Sequence, residues 1–308
     1  GLPHGGGKAV IFSDPKVPRP EKEHLIRGMA QALRHADEYI FAPDMGTDEE
    51  CMAWVRDEIG RAVALPREVG GIPLDEIGAT GFGLGHVADV AQEYAGLTLE
   101  GATLVIQGFG AVGSNAARFL AERGAVLVGA ADSRGAIHNA NGLDVDALVA
   151  LKRAGRGVAD YPDGERLERD AVVGLDCDIW IPAARPDVID ADNVGELTAR
   201  LVIEGANIPI TEGAERTLHE RGVLCVPDFI ANAGGVICAA LDDKGAPESA
   251  ALQSIQEKLR RNTRQVLETA RERGIRPRQA AEELALERVR RAMGFRRHSL
   301  FSSAPGWV

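Results

Sequence analysis

Cysteine, aromatic residues and long apolar runs are all scarce in this sequence. Its 308 residues include 4 cysteines, and aromatic residues make up 5% of the chain. No two cysteines form a Cys-x-x-Cys pair, so we predict no metal site and no disulfide framework, but free thiols in a reducing compartment, the cytoplasm. No apolar run reaches about 18 residues, so we expect no membrane span.

Positive charge is also in short supply. The chain has 35 Lys and Arg residues against 46 Asp and Glu residues, a net charge of −11. This balance argues against a broad basic face, so we expect no nucleic-acid partner. The remaining composition, 45% hydrophobic and 26% charged, is that of a globular protein, and the length fits about two domains.

The middle of the chain, residues 97–235, alternates short apolar runs with amphipathic stretches. The run at 103–107 (TLVIQ) has no polar alternation, which is typical of a parallel strand covered on both faces. Further strand-like runs follow at 126–131, 177–181, 201–204 and 224–226. Strands that alternate with helices predict an α/β fold with a Rossmann-type doubly wound sheet.

The two flanking regions differ from each other. Residues 1–84 predict an α/β substrate domain, with strands at 8–12 (KAVIF) and 38–42 (EYIFA) and a helix capped by Thr47 or Asp48. Residues 248–294 contain two long amphipathic helices with no strand between them. Such helices cannot extend a parallel sheet, so we expect them to fold back onto the N-terminal domain.

A glycine-rich turn follows the first strand of the middle region. Gly108, Gly110 and Gly113 form a Gly-x-Gly-x-x-Gly pattern that opens a helix, with Ala111 and Val112 between the last two. The first glycine permits the tight turn, the second a close approach of a pyrophosphate, and the third close packing of helix on strand. The free N–H groups of the helix N-terminus attract phosphates. The pattern predicts a nicotinamide dinucleotide site, with a flavin site, an S-adenosylmethionine site or no ligand as alternatives.

An acidic residue closes the next strand. Asp132 lies nineteen residues after Gly113, where a carboxylate can accept hydrogen bonds from the adenosine ribose and repel a 2′-phosphate. We therefore expect NAD to be preferred. Arg134, two residues further on, is able to bind a 2′-phosphate, so NADP stays open.

Two polar features of the N-terminal region are ambiguous by themselves. Lys8 follows three glycines, Gly5, Gly6 and Gly7, and a lysine held against a ligand there can have its pKa lowered. Asp44 lies in a Pro-Asp-Met-Gly turn. In isolation each residue is more typical of an ordinary loop or turn.

The order and spacing of seven motifs settle this ambiguity. They are LPHGGGK (2–8), APDMGT (42–47), ATGFG (79–83), GFGAVG (108–113), ADSRG (131–135), GANIP (205–209) and PDFIANAGG (227–235). Together they resemble the Glu/Leu/Phe/Val dehydrogenase family of NAD(P)-dependent amino-acid dehydrogenases over residues 1 to about 294. The resemblance implies two domains with the active site in the cleft between them. It also implies oxidative deamination of an L-amino acid to a 2-oxo acid and ammonia.

The resemblance assigns roles to individual residues. Lys8 matches the lysine that polarises the oxo group and activates water, and Asp44 matches the aspartate that shuttles protons to the amino group. Gly6 and Gly7 border the substrate. The remaining matches are to cofactor-binding positions: Thr80, Ser133, Asn207 and Asn232.

The resemblance leaves the substrate and the completeness of the site open. Glutamate dehydrogenases usually carry a serine where this chain has Ala239, and an apolar residue there is similar to the leucine and phenylalanine branch. Other motifs are similar to the glutamate branch, so we favour glutamate, with leucine, phenylalanine or valine as the alternative. The resemblance implies further lysines upstream of residue 1, so we expect a domain truncated at its start and a homo-oligomer at full length. A catalytically silent NAD-binding fragment is the second alternative.

Overall fold

The computed structural model describes residues 1–2, 4–14 and 16–295, which fall into two compact units. The first contains residues 1–77, 235–254 and the last described residues from 290 onward. The second contains residues 78–234 and 255–289 and holds the sheet. The predicted packing of residues 248–294 against the N-terminal domain stays a prediction.

A mixed sheet of seven strands organises the second unit. The strands are β1 (Thr103–Gln107), β2 (Val126–Asp132), β3 (Gly135–His138), β4 (Glu165–Leu167), β5 (Ile179–Pro182), β6 (Leu201–Ile203) and β7 (Leu224–Val226). Their order is β4-β3-β2-β1-β5-β6-β7. The five strands β2, β1, β5, β6 and β7 are parallel, and β3 and β4 are antiparallel additions at one edge. This confirms the α/β fold with a Rossmann-type sheet.

Eleven α-helices are described. They are α1 (Arg19–Ala32), α2 (Glu49–Ile59), α3 (Leu74–Ile77), α4 (Ala79–Ala95), α5 (Ala111–Ala121), α6 (Val145–Arg153), α7 (Glu212–Glu220), α8 (Asp228–Ala231), α9 (Gly234–Asp242), α10 (Glu248–Arg273) and α11 (Pro277–Met293). Helix α4 packs closely on α5, because Gly81 has no side chain and a Cβ there would lie 2.6 Å from the backbone nitrogen of Ala116.

The central strands of the sheet are buried because they are apolar on both faces. Residues Leu104–Gln107 of β1 and all four residues of β5 are buried. Trp180 is fully buried at the centre of the core, and its indole N–H donates to the Val172 carbonyl at 3.3 Å. All four cysteines are buried and unpaired, as the sequence predicts. No helix in the described ranges is long and apolar enough to cross a membrane.

Helices form the regular structure of the first unit. Asp48 caps α2 by accepting from the N–H of Cys51 at 2.9 Å, and Gly60 ends the helix with a left-handed φ of 77°. Arg27 joins α1 to α2 through Asp57 and Glu58. Capping by Asp48 is confirmed.

The predicted strands at 8–12 and 38–42 are wrong. Among residues 1–2, 4–14 and 16–77, no residue joins a sheet. Val10 and Phe12 are 91% and 103% exposed, so their apolar side chains gain no burial that would stabilise a strand. The second run contributes Phe41 to the core between α1 and α2 without ladder hydrogen bonds.

Candidate functional site

Each glycine of the turn after β1 has a distinct geometric role. Gly108 has a φ of +100°, and a Cβ there would lie 2.6 Å from the Cβ of Ala184. A Cβ on Gly113 would overlap the carbonyl oxygen of Gly108. Gly110, by contrast, is exposed, with no atom within 4 Å of an added Cβ. The turn is therefore tight on its protein side and open where a ligand would approach.

This turn lies where the order of the strands in the sheet reverses. Strand β1 is followed in sequence by β2 on one side, and β5 pairs with its other side. The crevice at the carboxyl ends of two such strands is where open α/β sheets bind ligands. The exposed Gly110 and Ala111 begin α5 there, so its first N–H groups face the open side, and Val112 continues the same turn. Binding of a pyrophosphate at this turn stays a prediction.

Asp132 is held by the protein itself. Its Oδ2 accepts from Lys152 Nζ at 2.6 Å and from the N–H of Val158 at 3.1 Å, and its Oδ1 accepts from the N–H of Arg134 at 2.8 Å. Burial acts to raise the pKa of Asp132, but these hydrogen bonds outweigh it and the pKa is lowered. The carboxylate is thus ionised beside a cation, and its contact with a ribose stays a prediction. Ser133 beside it is exposed.

Two asparagines that the sequence singles out are brought together. Asn232 Nδ2 donates to Asn207 Oδ1 at 2.7 Å, although the residues follow different strands, β7 and β6. The next residue, Ile208, has a left-handed φ of 44°, a conformation that costs a β-branched residue about 1–3 kcal/mol. Its N–H donates to Asp228 Oδ2 at 2.7 Å. The backbone beside Asn207 is therefore strained, and the Asp228 carboxylate holds it in this conformation.

A buried ionic cluster lies under these loops. Arg278 Nη2 donates to Glu204 Oε2 at 2.7 Å, Nη1 to Asp228 Oδ1 at 3.0 Å and Nε to Glu215 Oε2 at 2.8 Å. The three acidic residues are 0%, 6% and 2% exposed. Burial raises the pKa of Glu204 to about 8; Arg278 opposes the shift, and the Asp228 and Glu215 carboxylates reinforce it. One of the three acids therefore keeps its proton at neutral pH.

The sequence interpretation missed this cluster, although signals for it exist. Arg278 lies in the first turn of α11, where a cation opposes the helix dipole and so calls for an acidic partner. Glu204 follows the apolar run of β6 directly and is completely buried. An acid at the end of an apolar strand and an arginine at the start of a helix are each unusual. Only the fold pairs these residues across 74 positions.

Lys8 and Asp44 meet in the first unit. Lys8 Nζ donates to Asp44 Oδ2 across 36 positions of sequence, and Asp44 Oδ1 accepts from the N–H of Met45 at 2.8 Å. Thr47 stabilises the turn, because its Oγ1 accepts from the N–H of Asp44 at 2.8 Å. The lysine and aspartate side chains are 73% and 56% exposed. The structure brings the two predicted catalytic residues together, and their catalytic role stays a prediction.

The other predicted residues divide between the units. Gly6 and Gly7 lie in the first unit, in the exposed loop before Lys8. Ala239 belongs to the same unit, half-buried on α9, which is fixed where Asp242 Oδ2 accepts from the N–H of Ala64 at 2.8 Å. Thr80 lies in the second unit, in the first turn of α4. Every predicted substrate-side residue thus lies in one unit and every predicted cofactor-side residue in the other.

These features together define an α/β nucleotide-binding unit and a separate lysine–aspartate pair. Residues 70–297 match the Glutamate/Leucine/Phenylalanine/Valine dehydrogenase family, and residues 1–61 match the Glu/Leu/Phe/Val dehydrogenase dimerisation domain. The chain belongs to the Glu/Leu/Phe/Val dehydrogenase family. Membership confirms the expected class of enzyme, an NAD(P)-dependent amino-acid dehydrogenase.

Individual relatives agree with this assignment. The chain is 37% identical to a glutamate dehydrogenase of Aeropyrum pernix, over all of this chain and 77% of the relative. It is 40% identical to an NADP(+)-dependent glutamate dehydrogenase of Pyrobaculum calidifontis, over 79% of this chain and 62% of the relative. It is 35% identical to an NAD-specific glutamate dehydrogenase of Staphylococcus aureus, over 96% of this chain and 75% of the relative.

A solved structure has the same fold. The crystal structure of the hetero-hexameric glutamate dehydrogenase from Thermus thermophilus, in a leucine-bound form, superposes with a TM-score of 0.84 and 28% identity. The match covers 93% of this chain and 72% of that one. The chain therefore spans between about three fifths and three quarters of the length of these relatives.

Proposed function

We propose that this chain catalyses reversible NAD(P)-dependent oxidative deamination of an L-amino acid, with glutamate as the main substrate, to a 2-oxo acid and ammonia. The observation that carries the proposal is the contact between Lys8 and Asp44, which the chain brings together from 36 positions apart. A cation and a carboxylate in contact supply the two functions that the reaction needs, polarisation of a carbonyl and transfer of protons.

The proton chemistry is assigned to this pair. A bound NAD(P), held by the second unit, would supply the acceptor for the hydride that leaves Cα as the substrate amine is oxidised to an iminium ion. Lys8 Nζ accepts a proton from the water that attacks the iminium carbon, and the ammonium so formed polarises the oxygen that becomes the 2-oxo group. Asp44 accepts a proton from the substrate amino group and returns one to the departing ammonia. Because both side chains are largely exposed, bound substrate must displace water from them before their interactions strengthen.

The second unit supplies the binding site for the dinucleotide. Gly110 and the first N–H groups of α5 are assigned to the pyrophosphate, supported by the open space at Gly110. Asn207 and Asn232 are assigned to the nicotinamide ribose, supported by the hydrogen bond between them. Thr80 is assigned to the nicotinamide amide, and Asp132 with Ser133 to the adenosine ribose. Relatives include both NAD-specific and NADP-dependent enzymes, and we propose NAD as the preferred cofactor with NADP also accepted.

Glutamate is favoured because the relatives at 35–41% identity are named glutamate dehydrogenases. Ala239 supports the apolar alternative, because a methyl group cannot hydrogen-bond a side-chain carboxylate, which is costly to bury without a partner. The test measures NADH formation with glutamate, leucine, phenylalanine and valine, in the wild type and in Ala239→Ser. We expect glutamate to have the highest kcat/KM in the wild type. Ala239→Ser should raise the kcat/KM for glutamate relative to that for leucine.

Three results would contradict parts of this proposal. A higher kcat/KM for leucine, phenylalanine or valine than for glutamate would show that the enzyme is a dehydrogenase of apolar amino acids. Tight NADH binding with no turnover of any of the four amino acids would make the chain a silent nucleotide-binding module. An unchanged substrate ratio in Ala239→Ser would remove that residue from the side-chain pocket.

The assembly and location are also proposed. We expect a homo-oligomer, supported by the match of residues 1–61 to a dimerisation domain. The hetero-hexameric assembly of the Thermus enzyme supports an oligomer, but not the identity of its subunits. Sedimentation of the purified chain tests this, and a single monomeric species would contradict it. We further propose the cytoplasm as the location, which the four unpaired buried thiols support.

A further inference from the structure

One buried side chain connects the two loops that carry the asparagine pair. Glu204 directly follows β6, and Asp228 lies two residues after the end of the neighbouring β7. Arg278 donates to both carboxylates, at 2.7 Å and 3.0 Å. The carboxylates are also tied to each other, because Glu204 Oε2 accepts from the N–H of Asp228 at 3.1 Å. The buried guanidinium group of Arg278 thus connects the ends of β6 and β7.

The link continues to the surface through the backbone. Asp228 Oδ2 accepts from the N–H of Ile208, the residue with the left-handed φ of 44°. The Ile208 side chain is 56% exposed, so burial of that side chain is not what holds the strained conformation. On the other loop, the N–H of Asn232 donates to the carbonyl of Asp228 at 2.7 Å. One aspartate therefore fixes the backbone at or beside both asparagines.

We propose that Arg278 is a positioning residue for dinucleotide binding. By joining Glu204 to Asp228 it keeps the Ile208 backbone in place, so that Asn207 and Asn232 are preorganised to receive the nicotinamide ribose. This inference rests on the proposed function, because it takes the asparagine pair as part of the cofactor site. Arg278 forms no hydrogen bond with either asparagine. It acts through the carboxylates of Glu204 and Asp228.

Removing the fork leaves the loops free to relax. In Arg278→Gln the amide can satisfy one of the three carboxylates, and the other two lose the guanidinium as a donor. Ile208 is then able to leave its strained conformation, and the cofactor must restore it on binding. Preorganisation lost in this way appears as weaker binding. We expect the Kd for NADH to rise roughly tenfold.

The experiment measures the Kd for NADH and NADPH by fluorescence, and the melting temperature, for five proteins. They are the wild type, Arg278→Gln, Asn207→Ala, the double variant, and Arg221→Gln as the matched control. Arg221 is comparable because its guanidinium donates to two backbone carbonyls, of Val194 and Leu197, at 2.6 and 2.5 Å. These carbonyls lie away from both asparagine loops in sequence, so Arg221→Gln is expected to lower the melting temperature and leave the Kd unchanged.

The double variant separates positioning from general stability. If Arg278 acts through the asparagine loop, Arg278→Gln has less than about a threefold effect on Kd in the Asn207→Ala background. An equal effect in both backgrounds, or an equal rise of Kd in Arg221→Gln, would overturn the inference. So would an unchanged Kd in Arg278→Gln when the wild type binds NADH. A wild type that binds neither NADH nor NADPH would contradict the proposed function and the inference with it.

A milder variant covers the case in which Arg278→Gln does not fold. Arg278→Lys keeps a positive charge in the cluster but replaces the planar fork with a single ammonium. Arg278→Lys is expected to raise the Kd for NADH above that of the wild type. Its effect on Kd should be smaller in the Asn207→Ala background. A Kd equal to that of the wild type would show that charge alone suffices, and would overturn the role given to the fork.

Discussion

At the scale of single residues, the lysine–aspartate pair is the most direct test of the chemistry. Lys8→Ala and Asp44→Asn should each lower kcat by about 10²–10⁴, the range for a positioned acid or base. The double variant should be much less than multiplicatively worse, because the two groups serve the same proton transfers. The measurement is steady-state turnover with glutamate, together with NADH binding, which should stay within about twofold.

A second exposed pair in the same unit provides the control for these variants. Arg19 donates to Asp48 at 2.9 Å, and both side chains are 41% exposed. Exposed pairs contribute about 0–1 kcal/mol to stability, so Arg19→Gln should leave kcat unchanged. Near-normal turnover in either Lys8→Ala or Asp44→Asn would remove the proposed mechanism.

The raised pKa of Glu204 makes stability depend on pH. Its pKa is about 8 in the folded chain, against an ordinary value of 4.5. Between these values the folded state holds a proton that the unfolded state has lost, so the free energy of unfolding falls as pH rises and levels off above about pH 8. We expect Glu204→Gln to flatten this slope in denaturant unfolding between pH 5.5 and 8.5.

The control for this prediction is an acid on the surface of α7. Glu212 has a side chain 69% exposed and pairs loosely with Arg216, at 3.4 Å, and with Arg276, at 3.8 Å. Glu212→Gln should keep the slope of the wild type. If Glu204→Gln retains that slope too, the pH dependence has another origin.

At the scale of secondary structure, sequence pattern predicts the elements that are apolar on both faces. Strand β1 and strand β7 have the predicted bounds. In such runs burial and strand propensity favour the same structure. The antiparallel strands β3 and β4 were not predicted, because they are four and three residues long and pair at a sheet edge. The run at 8–12 fails for the opposite reason, since it is apolar but unburied.

The end of β2 carries a prediction about cofactor choice. Lys152 on α6 neutralises Asp132, so the repulsion of a 2′-phosphate is smaller than the sequence alone suggests. We expect NADH to bind more tightly than NADPH by less than about tenfold. Lys152→Met should widen the ratio of the two Kd values by roughly tenfold, because the buried carboxylate then lacks its cation.

Arg153 offers the matched control, because it is the next residue of α6 and is exposed. Arg153→Met removes the same charge without touching Asp132 and should change the ratio of Kd values by less than twofold. An unchanged ratio in Lys152→Met would show that this pair does not govern the choice of cofactor.

At the scale of the whole molecule, the sequence predicts which residues form the site better than how they are held. The motif residues Lys8 and Asp44 meet, as do Asn207 and Asn232. The pairing within the Arg278 cluster could not be predicted, because it depends on α11 lying beside two strand ends. Motif spacing records neighbours along the chain, whereas buried ion pairs depend on the packing of distant elements.

The division of site residues between the two units leads to the last prediction. All predicted cofactor residues lie in the unit that holds the sheet, and Gly6, Gly7, Lys8, Asp44 and Ala239 lie in the other. Each ligand binding alone should therefore protect backbone amides in its own unit. We expect NADH to slow hydrogen exchange by about tenfold or more in residues 108–115 and 205–209. The 2-oxo acid product of glutamate, 2-oxoglutarate, should act on residues 5–8 and 44–47 instead. Exchange that slows in both sets with NADH alone would show that the dinucleotide also orders the lysine–aspartate pair, contrary to an independent binding site in each unit.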